Sequence, residues 1–279
     1  MRIAVTHVTR MEFGAEVTDS VMDARLGPRD DADQRVEHFR VKLEPAGHVR
    51  RYEDGFGNVA HLMTSMRPHT FLQVTAESEV QTYLSDPFAV PEHPPQALDG
   101  IERVEYLSTS PLIPRTPVID EMAAPFRSSD TFEAVRRMSE FIYTEFTYRQ
   151  NVTDVTTSIE QVVAGRQGVC QDFAHLLLGM CRAIDIPARY VSGYIHARST
   201  SADDRAPSRG DGASHAWAEA FTPAHGWRGF DPTNNLVANE HYVKVAIGRD
   251  YHDVPPTRGT YHGVAADQLT VAVNTRALD

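Results

Sequence analysis

The stretch Gly168-Val169-Cys170-Gln171-Asp172-Phe173-Ala174-His175 decides how this chain is read. A glycine-containing turn runs into a cysteine, and Phe173, Ala174, Leu176, Leu177, Leu178, Met180 and Cys181 follow. Apolar residues nearly surround such a helix, so the pattern predicts a buried central helix over about 170–184, closed before Pro187. Cys170 then stands at the helix entry, where the positive end of the dipole favours thiolate over thiol. Its own backbone N–H has no intrahelical acceptor there and can serve as one half of an oxyanion hole.

Downstream, the pattern changes from helix to strand. Residues 188–195, 214–221 and 225–231 read as strands. His215 lies 45 residues after Cys170, and Asp231 another 16 beyond it. A tight turn at Thr222-Pro223-Ala224 closes the last two strands into a hairpin with His215 opposite Asp231 and Trp217 opposite Gly229. His215 and Asp231 would then share a face, whereas a bulge of one residue would separate them. Cys170, His215 and Asp231 supply a nucleophile, a base and a carboxylate that orients the base.

Other residues near these have plainer roles. Cys181 lies deep in the helix and reads as a small buried apolar residue. It is eleven residues from Cys170, roughly 16 Å along a helix axis, too far for a disulfide. His175 sits about 140° round the helix from Cys170 and faces elsewhere. Asp172 suits the first turn of a helix and would not activate the thiol. Gln171 and Trp217 are candidates for the oxyanion site or the substrate cleft, and core packing is an equal reading of Trp217. Gln150 and Gln167 are further possible oxyanion donors, between which the sequence does not choose.

Residues 1–90 form a β-rich unit with short alternating runs at Ile3–Val8, Val36–Leu43, Asn58–Thr64 and Thr70–Thr75. No catalytic constellation stands out there. Four prolines in residues 86–98 make a stiff linker to a second unit, residues 99–279, with its motif core at 157–235 and C-terminal strands and loops at 236–279. Asp130 with Glu133 starts one helix of this unit, and Thr157 with Glu160 starts another that ends near Gly165. Residues 197–212 form a polar loop just ahead of His215, and a lid and a plain surface loop are both open readings.

Composition excludes several functions. With 27 basic and 38 acidic residues the formal charge is −11, which argues against a nucleic-acid binder and against docking on anionic membranes. No apolar run is long enough to span a bilayer, and the N-terminal residues are too polar for a signal peptide, so a cytoplasmic location is expected. There is no H-x-x-x-H or H-E-x-x-H spacing, no Walker loop and no G-x-G-x-x-G opening a helix. No metal and no cofactor are expected, and no calcium dependence.

Four blocks together are similar to the bacterial transglutaminase-like superfamily: Gly168 to Ala174, Ile186 to Tyr194, His215-Ala216-Trp217-Ala218-Glu219, and Gly226 to Asn234. The β-rich residues 1–90 resemble the N-terminal domain that precedes this core in bacterial members. Val245 to Tyr251 and Asp253-Val254-Pro255-Pro256 resemble the tail of the same subgroup. The resemblance implies an α+β protein, an antiparallel β domain followed by a papain-like core with its cysteine helix packed on an antiparallel sheet. It implies Cys170 as nucleophile, His215 as base and acid and Asp231 as orienter. The activity implied is cysteine-dependent acyl transfer on a peptide or protein amide, with water or an amine as acceptor. A non-catalytic binding or assembly module of the same fold is the alternative, and an acyltransferase like the arylamine N-acetyltransferases ranks below both.

Overall fold

The first half of the protein is built around one strand, β1 (Arg2–Gly27), which runs unbroken for 26 residues. The computed structural model describes residues 1–93, 95–196, 209, 212–263 and 267–278. Ile3, Val5, His7 and Thr9 alternate inward along the first part of β1, as a half-buried strand requires. β2 (Gln34–Glu44), β3 (His48–Glu53), β4 (Val59–Ser65) and β5 (His69–Thr82) complete an antiparallel sheet in the order β2-β5-β1-β4-β3. β1 serves two sets of partners. Its first part pairs with β5 and its second with β4, with the β1–β5 register breaking between Glu12 and Val17. The sequence predicts only Ile3–Val8 of this strand, because Phe13–Ser20 crosses between the two sets and loses its alternation. β3 carries no apolar face at all, since it is an exposed edge.

After the linker come α1 (Gly100–Leu107), α2 (Pro117–Ala123) and α3 (Thr131–Glu145), followed by β6 (Thr147–Tyr148) and α4 (Ile159–Gly165). Asp130 accepts from the N–H of Glu133 at 3.0 Å, so α3 begins where the sequence places it. α4 begins one residue later than predicted. Ser158 and Gln161 exchange both bonds of a capping box, at 3.3 and 2.9 Å, in place of Thr157 and Glu160. Thr157-Ser158-Ile159-Glu160-Gln161 contains two overlapping box patterns, and the one used buries Ile159 and Val162.

β7 (Gln167–Gly168) leads into the central helix α5 (Cys170–Ala183), in which every residue from Asp172 to Ala183 is buried. β8 (Ala188–Ile195), β9 (His215–Thr222), β10 (Gly226–Asp231), β11 (Leu236–Val237) and β12 (Tyr242–Gly248) form a second antiparallel sheet in the order β11-β10-β9-β8-β12. Ala216, Ala218 and Ala220 of β9 join the core cluster of α5, and small side chains let the helix lie close to the strand. Trp217, from the other face of β9, packs with Val191, Ile195, Ala238, Tyr242 and Ile247.

The last two strands, β13 (Thr257–His262) and β14 (Asp267–Ala277), pair with β1 rather than with the second sheet. The sequence groups them with the second unit. Their pairing partner lies more than 200 residues away, where local pattern carries no information. Residues 197–212, for which a lid was one reading, lie outside the described residues except for Arg209 and Gly212. Among the described residues no helix is long and apolar enough to cross a membrane.

Candidate active site

Three strand or helix ends meet at the site. Cys170 is the first residue of α5, His215 the first of β9 and Asp231 the last of β10. The approach to Cys170 is fixed from both sides. Thr147 and Arg149 donate to the carbonyls of Arg166 and Gly168, each at 2.9 Å, and align β6 with β7. The Asp172 carboxylate accepts from the N–H of Val169 at 2.8 Å and from the Thr153 hydroxyl at 2.7 Å. Gly168 makes room for that carboxylate, since a Cβ there would lie 2.8 Å from both Cβ and Oδ2 of Asp172. Asp172 thus caps the start of the helix, as its first-turn position suggested.

The hairpin closes one residue later on each strand than predicted. Gly226 pairs with Thr222, Gly229 with Glu219 and Phe230 with Ala218. Neither His215 and Asp231 nor Trp217 and Gly229 are directly opposite. Gly226 dictates this, because its φ of +72° supplies the left-handed residue that ends a three-residue turn. The offset is an even number of positions, so every side chain keeps its face. His215 and Asp231 become diagonal neighbours, and Nε2 of the imidazole lies 2.9 Å from Oδ2 of the carboxylate.

Asp231 is fully buried and held by five hydrogen bonds. Oδ2 meets His215, the Asn234 amide at 2.8 Å and the Tyr242 hydroxyl at 2.9 Å. Oδ1 accepts from the backbone N–H groups of Thr233 at 2.9 Å and Asn234 at 3.3 Å. Burial works against its ionisation, but His215, Asn234 and Tyr242 outweigh burial and hold the carboxyl below its usual range. Burial likewise opposes charge on His215, yet Asp231 and, after it, the nearby Cys170 sulfur raise the imidazole to about 10. A buried carboxylate with this many donors stays ionised, and the imidazole beside it keeps its proton. Nε2 is committed to Asp231. Nδ1 is buried and makes no other hydrogen bond of ordinary length among the described residues, which leaves it as the nitrogen to exchange a proton with Cys170. Such contacts commonly tighten only when substrate is bound.

The structure places the remaining candidates as follows. Gln171 is half-buried in the first turn of α5. Trp217 is 1% exposed and its ring stacks 6.2 Å from that of His215, so it packs in the core beside the imidazole. Gln150 hydrogen-bonds to the phenol of Tyr148, and Gln167 is half-buried in β7. His175 is buried and accepts from the N–H of Tyr251 at 3.2 Å, a packing role. Cys181 is fully buried, and burial pushes its thiol up to about 12, which keeps it inert. Cys170, half-buried, is not in a disulfide.

Sequence reasoning missed four residues here. Asn234 stands three positions after Asp231, a spacing typical of local side-chain turns, and turn chemistry could have singled it out. Tyr148 lies close enough to Cys170 and Asp231 to feel both, and burial is the main cause of its raised phenol. Arg209 stacks over Tyr143 and Tyr148 at 5.2 and 5.6 Å and donates its N–H to Asn234. Tyr242 arrives from a strand whose position has no local signal. Among the described residues no group of three or more His, Cys, Asp or Glu could hold a metal ion.

Comparison with known proteins agrees with this geometry. Residues 120–232 match the transglutaminase-like superfamily model, and residues 3–81 match the bacterial transglutaminase-like N-terminal region. The chain belongs to the transglutaminase-like superfamily. An uncharacterized protein of Mycobacterium tuberculosis is 36% identical over 276 residues, covering 92% of this chain and 87% of that one. An uncharacterized protein of Mycobacterium leprae is 34% identical over 283 residues, covering 99% of both. The crystal structure of a candidate cysteine protease from Cytophaga hutchinsonii has a TM-score of 0.78 at 23% identity, covering 100% of this chain and 91% of that one. That likeness is one of fold. The resemblance carried by the four motif blocks is borne out, as is the mixed fold with antiparallel sheets. Cys170, His215 and Asp231 come together at one site.

Proposed function

We propose that this protein is a cysteine-dependent acyl-transfer enzyme that cleaves or exchanges an amide of a peptide or protein. The observation that carries this reading is the buried His215–Asp231 pair at 2.9 Å beside a cysteine at a helix N-terminus. The proton of Cys170 resides on Nδ1 of His215, and the sulfur attacks the amide carbonyl as the thiolate. The oxyanion forms beside the Cys170 N–H, which has no intrahelical acceptor. As the tetrahedral intermediate collapses, the C–N bond breaks and the imidazolium passes its proton to the leaving ammonia or amine. An acyl thioester remains on Cys170. Water or an amine then gives a proton to His215 and attacks the thioester, which releases acid or a new amide and restores the Cys170 thiolate beside the imidazolium. Asp231 keeps the imidazole oriented throughout.

The test is a panel of peptide amides and glutamine-containing peptides, incubated with and without an added primary amine. Ammonia release and product mass are measured. Turnover that disappears in Cys170→Ala supports the reading, and the product mass distinguishes hydrolysis from transamidation. Unchanged turnover in Cys170→Ala would overturn it. An absence of turnover across the panel, with a Cys170 no more reactive than a free thiol, would favour a binding or assembly module.

A further inference from the structure

The N-terminal β unit meets the catalytic sheet at β8, through His7 and Tyr194, and at β12, where the contact has an unusual form. β12 is an edge strand, paired only with β8 within its sheet, and that pairing breaks between Lys244 and Ala246. Two buried side-chain amides from the other unit bracket the break. Gln34 donates to the Lys244 carbonyl at 2.7 Å and accepts from its N–H at 2.8 Å. Asn58 does the same with Ile247, both bonds at 2.8 Å. Each amide thus stands in for a residue of a neighbouring strand. Lys244 is held further by ion pairs of 2.6 Å to Asp31 of the N-terminal unit and to Glu219 of β9, and Arg189 also pairs with Glu219.

What this clamp holds in place is Tyr242. It lies two residues before Lys244 on the same face of β12, packs its ring 5.2 Å from Trp217 and donates its hydroxyl to Oδ2 of Asp231. A strand with a break in its ladder is open to a one-residue slip, and such a slip would turn Tyr242 to the opposite face. We propose that the N-terminal β unit is part of the catalytic apparatus: through Gln34, Asn58 and Asp31 it fixes the register of β12, so that Tyr242 holds the Asp231 carboxylate against His215. Tyr242 is a positioning residue, since it acts through Asp231. This rests on the reading of Cys170 as an activated nucleophile.

Among the described residues the charged and titratable groups around Asp231 are His215 from β9, Tyr242 from β12, Cys170 from α5, Tyr148 from β6 and Arg209, which lies over Tyr148 and donates to the Thr233 carbonyl. The test therefore follows the thiol itself and needs no substrate. Rates of iodoacetamide alkylation of Cys170 are measured against pH for wild type, Tyr242→Phe, Gln34→Ala and the double variant, with folding checked by circular dichroism. Tyr242→Phe keeps the ring and removes only the hydroxyl. It is expected to alkylate about tenfold more slowly than wild type near neutral pH, as loss of a hydrogen bond to a charged group implies, and to converge with wild type where the thiolate forms unaided. Gln34→Ala should slow alkylation in wild type and add nothing in Tyr242→Phe, because both act on one interaction. If Gln34→Ala does not fold, Asp31→Asn tests the same coupling from a more exposed position. A folded Tyr242→Phe with the wild-type profile, or additive effects in the double variant, would overturn the proposal. A wild-type Cys170 that alkylates as a free thiol would instead sink the nucleophile reading beneath it.

Discussion

At the scale of single residues the site depends on one buried charge pair. Cys170→Ala and His215→Ala should each lower kcat on any confirmed amide substrate by about 10⁴-fold, while Asp231→Ala should leave more activity, because the imidazole survives without its orienter. The pair also sets a pH dependence. His215 has a native value of about 10 against 6.5 in the unfolded chain, so the folded state binds that proton more tightly. Its stabilisation is complete below about 6.5 and is lost as pH rises toward 10. Urea unfolding of wild type and His215→Gln should show a stability gap that narrows across this range. A gap that widens with pH would mean that the native imidazole is neutral. The three residues were legible in the sequence because each sits in a distinctive local motif. Tyr242 was not, because its approach to Asp231 depends on how β12 is held from outside its own sheet.

Among the elements, the second sheet is shaped by Trp217. The indole lies across β8, where a Cβ on Gly193 would come within 2.5 Å of it and would also meet the Val243 carbonyl oxygen. On the other side, a Cβ on Gly229 would lie 3.0 Å from the indole nitrogen. Gly193→Ala should therefore destabilise the protein by about 1–3 kcal/mol or more, measured by chemical denaturation, since both neighbours are held in place. It should also reduce activity, as Gly193 is the strand partner of His215. A Gly193→Ala variant as stable as wild type would show that Trp217 has room to move. Period-two and helical patterns located β8 to β10 and α3 to α5, and cap chemistry located the starts of α3 and α4 to within a residue, while α1 and α2 went unread. The hairpin register was misjudged by the turn. It still placed His215 and Asp231 on one face, because strand periodicity forgives an even offset.

For the whole molecule, the two β-rich ends of the chain form a single sheet through β1, and this sheet packs on the catalytic unit. His7 of β1 shows how tightly. It is buried between Tyr194 of β8 and Thr9, at 2.9 Å from each, and burial pushes its imidazole down to about 4. The unfolded chain takes up this proton first, so stability should fall as pH drops from 6.5 toward 4, by up to roughly 1.4 kcal/mol per pH unit for this group. His175, pushed down to about 3 by burial, adds to the same trend. Thermal unfolding of His7→Gln should show a shallower slope than wild type over that range, and an equal slope would place the acid sensitivity elsewhere. Nothing in residues 1–90 alone pointed to contact with the catalytic sheet, since the backbone groups that Gln34 and Asn58 bind lie 210 and 189 residues further along the chain. The pairing of β13 and β14 with β1 was equally hidden, because alternation marks a strand and leaves its partner open.

The central claim is that an acyl group passes through a thioester on Cys170, and intact-mass spectrometry after acid quench tests it most directly. Wild-type protein mixed with an activated ester should carry one acyl mass on the peptide containing Cys170, lost on addition of hydroxylamine and absent in Cys170→Ala. An adduct that persists in Cys170→Ala, or that maps to another residue, would contradict the account.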